Sequence, residues 1–230
     1  MNRKTIHDLL TSFALFKDLS AGELEPILDI AQHRPYRKGQ HVFLQGDLLT
    51  NVYFIHQGSI KIYKTDMNGR EQIVNVLKSG DMFPHQGFFR KDNYPAHAEV
   101  SEDAILIYIP INQFENVLVT HPEICVKLFK VLGDIIVNLQ TRLEEKILDS
   151  THEQIIKLLL RLSQSHGEKI AEGKFRFTAM FTNRELANMI GTSRETVSRT
   201  LTKLKKQDLV CNDENGHIII DFPNLHELIL

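Results

Sequence analysis

The sequence predicts an α+β fold: an antiparallel β domain, a long helix and a C-terminal winged helix-turn-helix. Three observations predict it. Glycines recur at intervals of 7, 12, 11 and 11 between residues 39 and 80, among short stretches of β-branched and aromatic residues. About 28 residues from Pro122 onward contain no helix-breaking pair. Further on, two short helical patterns flank Gly191 and are followed by an Asn-Gly hairpin.

The composition favours a globular chain whose positive charge is local. Of its 230 residues, 42% are hydrophobic and 24% are charged, and the formal net charge is -2. These values argue against a disordered chain and against a polycation. The net charge is -3 over residues 1–149 and +1 from residue 150 onward, and residues 194–206 contain five basic side chains and one acidic one. Binding to a polyanion would therefore have to use that segment.

Cysteine content and hydropathy exclude several classes of protein. The two cysteines, Cys125 and Cys211, form no CxxC pair, which argues against a zinc site, an iron–sulfur cluster and a secreted disulfide scaffold. No window reaches about 18 consecutive apolar residues, and the first residues lack a signal-peptide core. We expect a soluble, cytoplasmic protein with no membrane contact, no metal and no cofactor.

Residues 1–120 are predicted to form the β domain. Short helices come first, one of them capped by Ser20 with Glu23 three residues later, the spacing of a capping box. From Tyr36 to about Ile109 many short stretches alternate apolar and polar residues, which predicts an antiparallel barrel or sandwich. Asn68-Gly69 predicts a hairpin turn within it.

Residues 121–149 are predicted to form one long helix with two apolar faces. Such a helix needs two partners, so we expect it to pack on its own β domain and on a twin helix in a symmetric homodimer. A helix fully buried within one chain is the alternative. The row expected at the dimer seam contains Cys125, Phe129, Leu132, Ile136, Leu139, Leu143 and Ile147, and the second row contains Ile124, Leu128, Val131 and Ile135.

Residues 150–230 are predicted to form a winged helix-turn-helix. A helix capped by Ser150 is expected to end at Gly167. The next helix starts with the cap Thr182, and its small Ala187 allows a close helix crossing. Gly191 is expected to take the left-handed conformation between the two helices of the motif.

The second helix of the motif is predicted to bury one face and expose the other. Ser193 caps it, and Val197 is the first residue of its apolar stripe, which continues at Leu201 and Leu204. The opposite face contains Arg194, Glu195, Ser198, Arg199 and Lys203. After it, the run CNDENGHIIID predicts a hairpin that would form a wing beside this helix.

The side chains of that polar face suit the major groove of double-stranded DNA. Arginine can donate two hydrogen bonds to guanine and glutamate can accept one from cytosine, whereas Lys203, Lys205 and Lys206 suit phosphates. Two other classes stay open. In the first, residues 181–210 form an ordinary helical hairpin whose charges are solvated, or the C-terminal domain belongs to a scaffold and binds protein instead of DNA. In the other, the β domain is a cupin-like metal enzyme, although His41, His56, His85 and His97 are widely separated and no catalytic motif occurs.

The stretch GTSRETVSRTLTKL closely resembles the DNA-reading helix of the cyclic-AMP receptor protein/FNR family of bacterial transcription regulators. The resemblance covers about residues 8 to 228. It implies a cyclic-nucleotide-binding-like jelly roll, a dimerisation helix and a winged helix that binds a palindrome. The family's half-sites resemble TGTGA or TTGAT, and Arg194 before Glu195 favours the TGTGA type. RNA polymerase is the expected second partner of an activator, and the sequence leaves open whether this regulator activates or represses. It further implies that Arg194, Glu195 and Arg199 read base edges and that Ser198 occupies a base-reading position. Thr200 stands where the family motif is usually apolar.

The effector region departs from members that bind cyclic AMP. His85 stands at the position of their ribose-binding Glu, and Tyr94-Pro95 at that of their phosphate-binding Arg-Ser pair. Leu139-Gln140 replaces the polar pair that meets the purine. Loss of the Arg removes a charge-assisted clamp, although Arg90 or Lys91 could substitute for it. We therefore expect a degenerate cyclic-nucleotide site, with an unknown effector or none, and a reshaped pocket around Phe83, His85 and Tyr94.

Other modes of regulation require particular ligands in the sequence. Residues 1–35 contain no cysteine, which excludes the N-terminal iron–sulfur cluster of the FNR branch. Haem ligation by His33 or another histidine is disfavoured, because single histidines in strands are usually surface or satisfied polar groups. Cys125 lies on the presumed dimer seam, so a redox-responsive regulator that forms a disulfide there is one alternative. A cyclic-nucleotide-dependent regulator is the other.

Overall fold

The computed structural model describes residues 3–11, 13, 15–17, 19–89 and 92–229. Contacts divide the chain into two compact units, Met1–Asn138 and Leu139–Leu230. We call the first the sheet unit and the second the helix-turn-helix unit. The predicted central segment, residues 121–149, is shared between them, because the last part of the long helix makes its contacts with the residues that follow it.

The sheet unit starts with helices, continues as strands and ends in helices. The capping box predicted at Ser20 is present: the Ser20 N–H donates to Glu23 Oε2 at 2.6 Å, and the Glu23 N–H donates to Ser20 Oγ at 3.4 Å. The elements are α1 (Arg3–Leu10), α2 (Ala21–Ile30), β1 (Gln32–Tyr36), β2 (His41–Phe43), β3 (Asn51–Thr65), β4 (Glu71–Lys78), β5 (Met82–Phe83), β6 (His97–Pro110), α3 (Ile111–Thr120) and most of α4 (Pro122–Leu148).

The strands form one six-stranded antiparallel sheet built on the long pair β3 and β6. This confirms the predicted fold class except for one detail, since the described strands do not close into a barrel. Strand order is β1-β6-β3-β4, with β2 also on β6 and β5 also on β3. The edge strands β1 and β4 do not meet because they pair with different parts of the β3–β6 pair. Strand β1 pairs with residues 104–108 at the end of β6, whereas β4 pairs with residues 59–65 of β3, opposite the start of β6.

The β3–β6 pair is buried on both faces. Val52 and Phe54 of β3 pack with the helices, and the Phe54 ring centroid lies 5.0 Å from that of Phe16. Tyr53 and Ile55, which alternate with them, belong to a second core on the other face. Successive side chains of β3 therefore point to opposite faces of the sheet, one set into the core shared with the helices and the other into the second core.

Two hairpins turn on the same five-residue pattern, Asp-x-Asn-Gly-x. Asp66 Oδ1 accepts the N–H groups of Asn68 and Arg70 at 2.8 and 2.9 Å, and these bonds lower the pKa of the Asp66 carboxyl. Asp213 Oδ1 does the same for Asn215 and His217 at 2.9 and 2.8 Å. Both predicted Asn-Gly turns are confirmed, and Gly69 and Gly216 take the required positive φ of 74° and 89°.

The helix-turn-helix unit combines four helices and a small sheet with the end of α4. Its elements are α5 (Thr151–His166), β7 (Gly167–Ala171), β8 (Lys174–Phe177), α6 (Asn183–Ile190), α7 (Arg194–Lys206), β9 (Val210–Asn212), β10 (Ile218–Asp221) and α8 (Phe222–Glu227). Strand order is β7-β8-β10-β9. The predicted wing hairpin is β9–β10, whereas the β7–β8 hairpin was not anticipated from the sequence.

Helix α4 buries one of its two apolar rows only in part. Ile124 and Leu128 lie in the core of the sheet unit, and Leu132 packs against it. Val131 and Ile135 of the same row are half-buried, and the remaining large apolar side chains of the helix are exposed in the single chain. They are Val126, Phe129, Ile136, Val137, Leu139, Leu143, Ile147 and Leu148. Among the described helices, α4 included, none has an apolar stretch long enough to cross a membrane.

Gly58 allows a close backbone approach between β3 and β6. Its φ is +87°, and an added Cβ would lie 2.4 Å from the Asp103 carbonyl oxygen and 2.7 Å from Ala104 Cα. We expect Gly58→Ala to lower the free energy of unfolding by about 1–3 kcal/mol, because backbone atoms must move. Urea unfolding measures this. Gly22→Ala is the control, since Gly22 is helical and has nothing within 4 Å of its Cβ position; equal stability of the two variants would contradict the argument.

Candidate functional site

The first helix of the motif, α6, has both ends fixed by local hydrogen bonds. Thr182 Oγ1 accepts the Glu185 N–H at 3.2 Å, and Glu185 Oε2 accepts the Thr182 N–H at 2.8 Å. At the other end Gly191 is left-handed, with φ 67° and ψ 47°, and its N–H donates to the Ala187 carbonyl oxygen. The predicted cap, the buried Ala187 and the turning glycine are all present.

The second helix, α7, begins directly after that turn. Ser193 caps it, with Oγ accepting the Thr196 N–H at 3.1 Å. Val197, Leu201 and Leu204 are buried in the core of this unit, as the spacing predicted. Thr200 is buried beside them, so the position where the family motif is usually apolar faces the core here too.

The opposite face of α7 is open to solvent. Arg194, Glu195, Arg199 and Lys203 are exposed, and Ser198 is half-buried among them. The Arg199 side chain lies back along the helix, with Nε 3.4 Å from the Glu195 carbonyl oxygen. At 1.5 Å per residue these groups extend over about 14 Å along the helix. The helix diameter of about 10–12 Å fits the ~12 Å width of a major groove.

The wing is attached to the end of α7 by polar contacts. The Lys205 ammonium donates to Asn212 Oδ1, and Asn212 Nδ2 donates to the Gly216 carbonyl oxygen at 2.8 Å. Lys205, expected from the sequence to suit a phosphate, is therefore used to hold the wing. Lys203 and Lys206 are exposed.

The N-terminus of α5 lies near the same face. Burial lowers the pKa of His152, and the positive charge of Lys203 lowers it further. His152 was missed by the sequence reasoning. Its only sequence signal is its position two residues after the cap Ser150, and that position does not indicate what faces it.

Two of the three residues expected at an effector pocket lie inside the sheet instead of lining an open cleft. Phe83 and Tyr94 are buried, with Phe43 and Tyr53 beside them. The rings of Phe43 and Tyr94 stack with centroids 3.7 Å apart and planes 5° apart, and the centroids of Tyr53 and Phe83 are 5.3 Å apart. Phe43 and Tyr53 were not identified from the sequence, because nothing in their strands indicates which aromatic residues meet.

The Tyr94 hydroxyl is tied to the start of β3. It accepts the Asn51 N–H at 3.1 Å and donates to the Asn51 carbonyl oxygen at 3.2 Å. Burial raises the pKa of Tyr53, and the neighbouring Tyr94 hydroxyl raises it further. His85 is half-buried, and this burial lowers its pKa because it disfavours the charged imidazolium.

The remaining candidates are dispersed. Arg90 and Lys91 lie outside the described residues. Leu139 and Gln140 are exposed on α4, and Cys125 is half-buried on the same helix. Within the described part of the chain, no group of three His, Cys, Asp or Glu side chains could hold a metal ion.

Two family models match the chain. The cyclic nucleotide-binding domain matches residues 33–121, and the Crp-like helix-turn-helix domain matches residues 153–228. The first match covers most of the sheet unit, and the second runs from α5 to the last described helix.

Curated relatives match over most of their length. The chain is 26% identical over 205 residues to the anaerobic regulatory protein of Bacillus subtilis, covering 88% of this chain and 86% of that protein. It is 27% identical over 214 residues to electron transport regulator A of Shewanella oneidensis, covering 92% and 83%. A solved structure of a CooA mutant from Carboxydothermus hydrogenoformans superposes with a TM-score of 0.74 at 22% identity, covering 96% and 95%; at that identity it supports the fold alone.

Proposed function

The chain belongs to the cyclic-AMP receptor protein/FNR family of transcription regulators, and from that premise we propose that it is a homodimer that reads a palindromic operator with helix α7. One observation supports this most directly. Helix α7 is capped at Ser193, buried along Val197 and Leu204, and exposed along Arg194, Glu195 and Arg199. A helix held in this way presents its polar side chains to a groove without having to fold on contact.

The exposed side chains favour a TGTGA-like half-site. An arginine guanidinium donates two hydrogen bonds to guanine O6 and N7, and a glutamate accepts one from cytosine N4. Arg194, Glu195 and Arg199 supply these groups, and Ser198 can bond a base edge or a phosphate. Lys203 and Lys206 add affinity through phosphates without reading the sequence. We propose RNA polymerase as the second partner on the strength of the family alone.

The exposed stripe on α4 supports the proposed dimer. Leu143 is 61% exposed and Ile147 is 70% exposed in the single chain, and Phe129 and Ile136 continue the stripe. With Leu132 and Leu139 included, the residues of the row follow one another at intervals of three or four positions, the spacing of a coiled-coil seam. Apolar side chains in a continuous row of this length are covered in most proteins, and a second copy of the same helix covers them with matching periodicity.

The interior of the sheet supports regulation without a cyclic nucleotide. A cyclic phosphate requires a cation or several donors, and Tyr94 offers neither a positive charge nor a free hydroxyl, since its oxygen is bonded to Asn51. Stacking of Tyr94 on Phe43 fills space that a ligand would need. The alternative is a redox-responsive regulator that acts through Cys125, a free and half-buried cysteine on α4.

Two variants of α7 distinguish contacts to bases from contacts to phosphates. Arg199→Ala should weaken binding to a TGTGA palindrome by about 1–3 kcal/mol per half-site and relax the preference at one base pair. Lys203→Ala should weaken binding to all sequences alike and reduce the slope of log K against log salt by about 1 per half-site. Fluorescence anisotropy at several salt concentrations measures both. If Arg199→Ala and the wild type show equal preference for the palindrome over random duplex, the proposed role of α7 is refuted.

The dimer seam is tested by placing a charge on it. Leu143→Asp should convert the dimer to a monomer, because a carboxylate buried against a like copy has no partner. Val119→Asp, at an equally exposed apolar residue on α3, should leave the dimer intact. Analytical ultracentrifugation gives the two masses. A monomeric wild type, or a dimeric Leu143→Asp variant, would show that this stripe does not join two copies.

The effector proposal is tested by titration with cyclic AMP. We expect no heat of binding and no rise in melting temperature at millimolar nucleotide, because a ligand at 100 times its Kd would stabilise the protein by about 2.7 kcal/mol. Tyr94→Phe is the control for the internal contacts, since it keeps the stacked ring and loses only the hydroxyl bonds. Saturable binding to the wild type with a Kd in the micromolar range would overturn the proposal.

A further inference from the structure

We propose that Lys146 is a positioning residue that joins helix α4 to the turn between α6 and α7 and so sets the placement of the reading helix. The inference rests on the proposed function for its consequence, but the contact itself lies wholly within the helix-turn-helix unit. The Lys146 Nζ donates to the Ile190 carbonyl oxygen at 2.8 Å. Ile190 is the last residue of α6, and Gly191 follows it in the turn.

Lys146 reaches the turn through a polar site that is itself anchored. Its Nζ also lies 3.4 Å from Gln154 Oε1, and Gln154 Nε2 donates to the Asp149 carbonyl oxygen at 2.9 Å. Gln154 is buried, so its amide is held in one orientation. The ammonium is 3.9 Å from the place where a Cβ on Gly191 would be. Three chain segments therefore converge on this nitrogen: α4, the start of α5 and the end of α6.

The end of α6 is a suitable place for a positive charge. The last carbonyl groups of a helix lack partners within it, and the helix dipole places partial negative charge there. A hydrogen bond from an ammonium to such a carbonyl is charge-assisted and stronger than a neutral one. The bond to Lys146 therefore restrains the turn from which α7 starts.

The same turns of α4 make two further kinds of contact. Glu145 of α4 pairs with Arg161, and Asp149, directly after α4, pairs with Lys157 at 2.7 Å, so the end of the helix is fixed to α5 by ion pairs. Leu143 and Ile147, on the neighbouring side, belong to the exposed stripe proposed as the dimer seam. Residues 143–147 of α4 thus contact the turn before α7 on one side and face the proposed dimer seam on the other.

The consequence concerns the distance between two reading helices. Half-sites of a palindrome lie about 10–11 base pairs apart from centre to centre, so the two copies of α7 must keep a fixed separation. The Lys146 bond adds a direct link from the seam helix to the motif, in addition to the apolar core between α5 and α6. Its loss should leave each α7 intact and loosen the separation of the pair.

The test compares Lys146→Met, Lys146→Arg and Lys157→Met in the full chain. Lys157→Met is the matched control, because it removes a positive charge and an α4–α5 contact without touching the turn. The probes are duplexes with one TGTGA half-site, and duplexes with two inverted half-sites at the best spacing and at spacings altered by one or two base pairs. Circular dichroism checks that each variant is folded.

Lys146→Met should bind the single half-site as the wild type does and lose at least about fivefold in affinity for the optimally spaced pair. Its affinity should also depend less on spacing than that of the wild type, an effect that general weakening does not produce. Lys146→Arg should retain most of the preference, and Lys157→Met should change both probes in parallel. An unchanged ratio of pair to half-site affinity in Lys146→Met, or an equal loss on both, overturns the proposal.

Amide hydrogen exchange tests the contact without relying on DNA binding. The Gly191 and Thr192 N–H groups both donate to the Ala187 carbonyl oxygen in this turn. Their exchange should be faster in Lys146→Met and unchanged in Lys157→Met. Unaltered exchange would refute the link even if the operator proved different, whereas faster exchange with no palindrome binding by the wild type would refute the proposed function and keep the link.

Discussion

A helix can present side chains in a fixed direction only when its other face is firmly buried, and most of the helix-turn-helix unit serves that requirement for α7. Val197 and Leu204 are completely buried, and Leu186 of α6 packs in the same core. Side-chain caps at Thr182 and Ser193 start the two helices, and the left-handed Gly191 sets the angle between them. Because those local features fix the axis of α7, its exposed arginines have a defined orientation before any partner is present.

The features that could be predicted from the sequence are those decided by nearby residues. The caps, Gly191 and both Asn-Gly turns depend on a few consecutive side chains, and all are present. The open sheet depends on which part of β6 pairs with β1, a register that no local pattern specifies. The same limit hid the Phe43–Tyr94 stack and the bond from Lys146 to Ile190, each of which joins residues more than forty positions apart.

The two units differ in what their polar and aromatic side chains do. In the sheet unit, aromatic rings meet one another inside the sheet and use their hydroxyls on backbone groups, so the interior is occupied by the chain itself. In the helix-turn-helix unit, some charged side chains hold the end of α4 against α5 and others extend from α7 into solvent.

The two Asp-x-Asn-Gly-x turns also bear on the chemical ageing of the protein. Asparagine followed by glycine is the sequence most prone to deamidation, because the glycine amide nitrogen can attack the asparagine side chain and close a succinimide ring. Here the Gly69 N–H donates to the Asp66 carbonyl oxygen, and the Gly216 N–H donates to the Asp213 carbonyl oxygen, each at 3.0 Å. The attacking nitrogen is thereby engaged and held in one direction, so the folded turns protect residues that an unfolded chain would convert to isoaspartate.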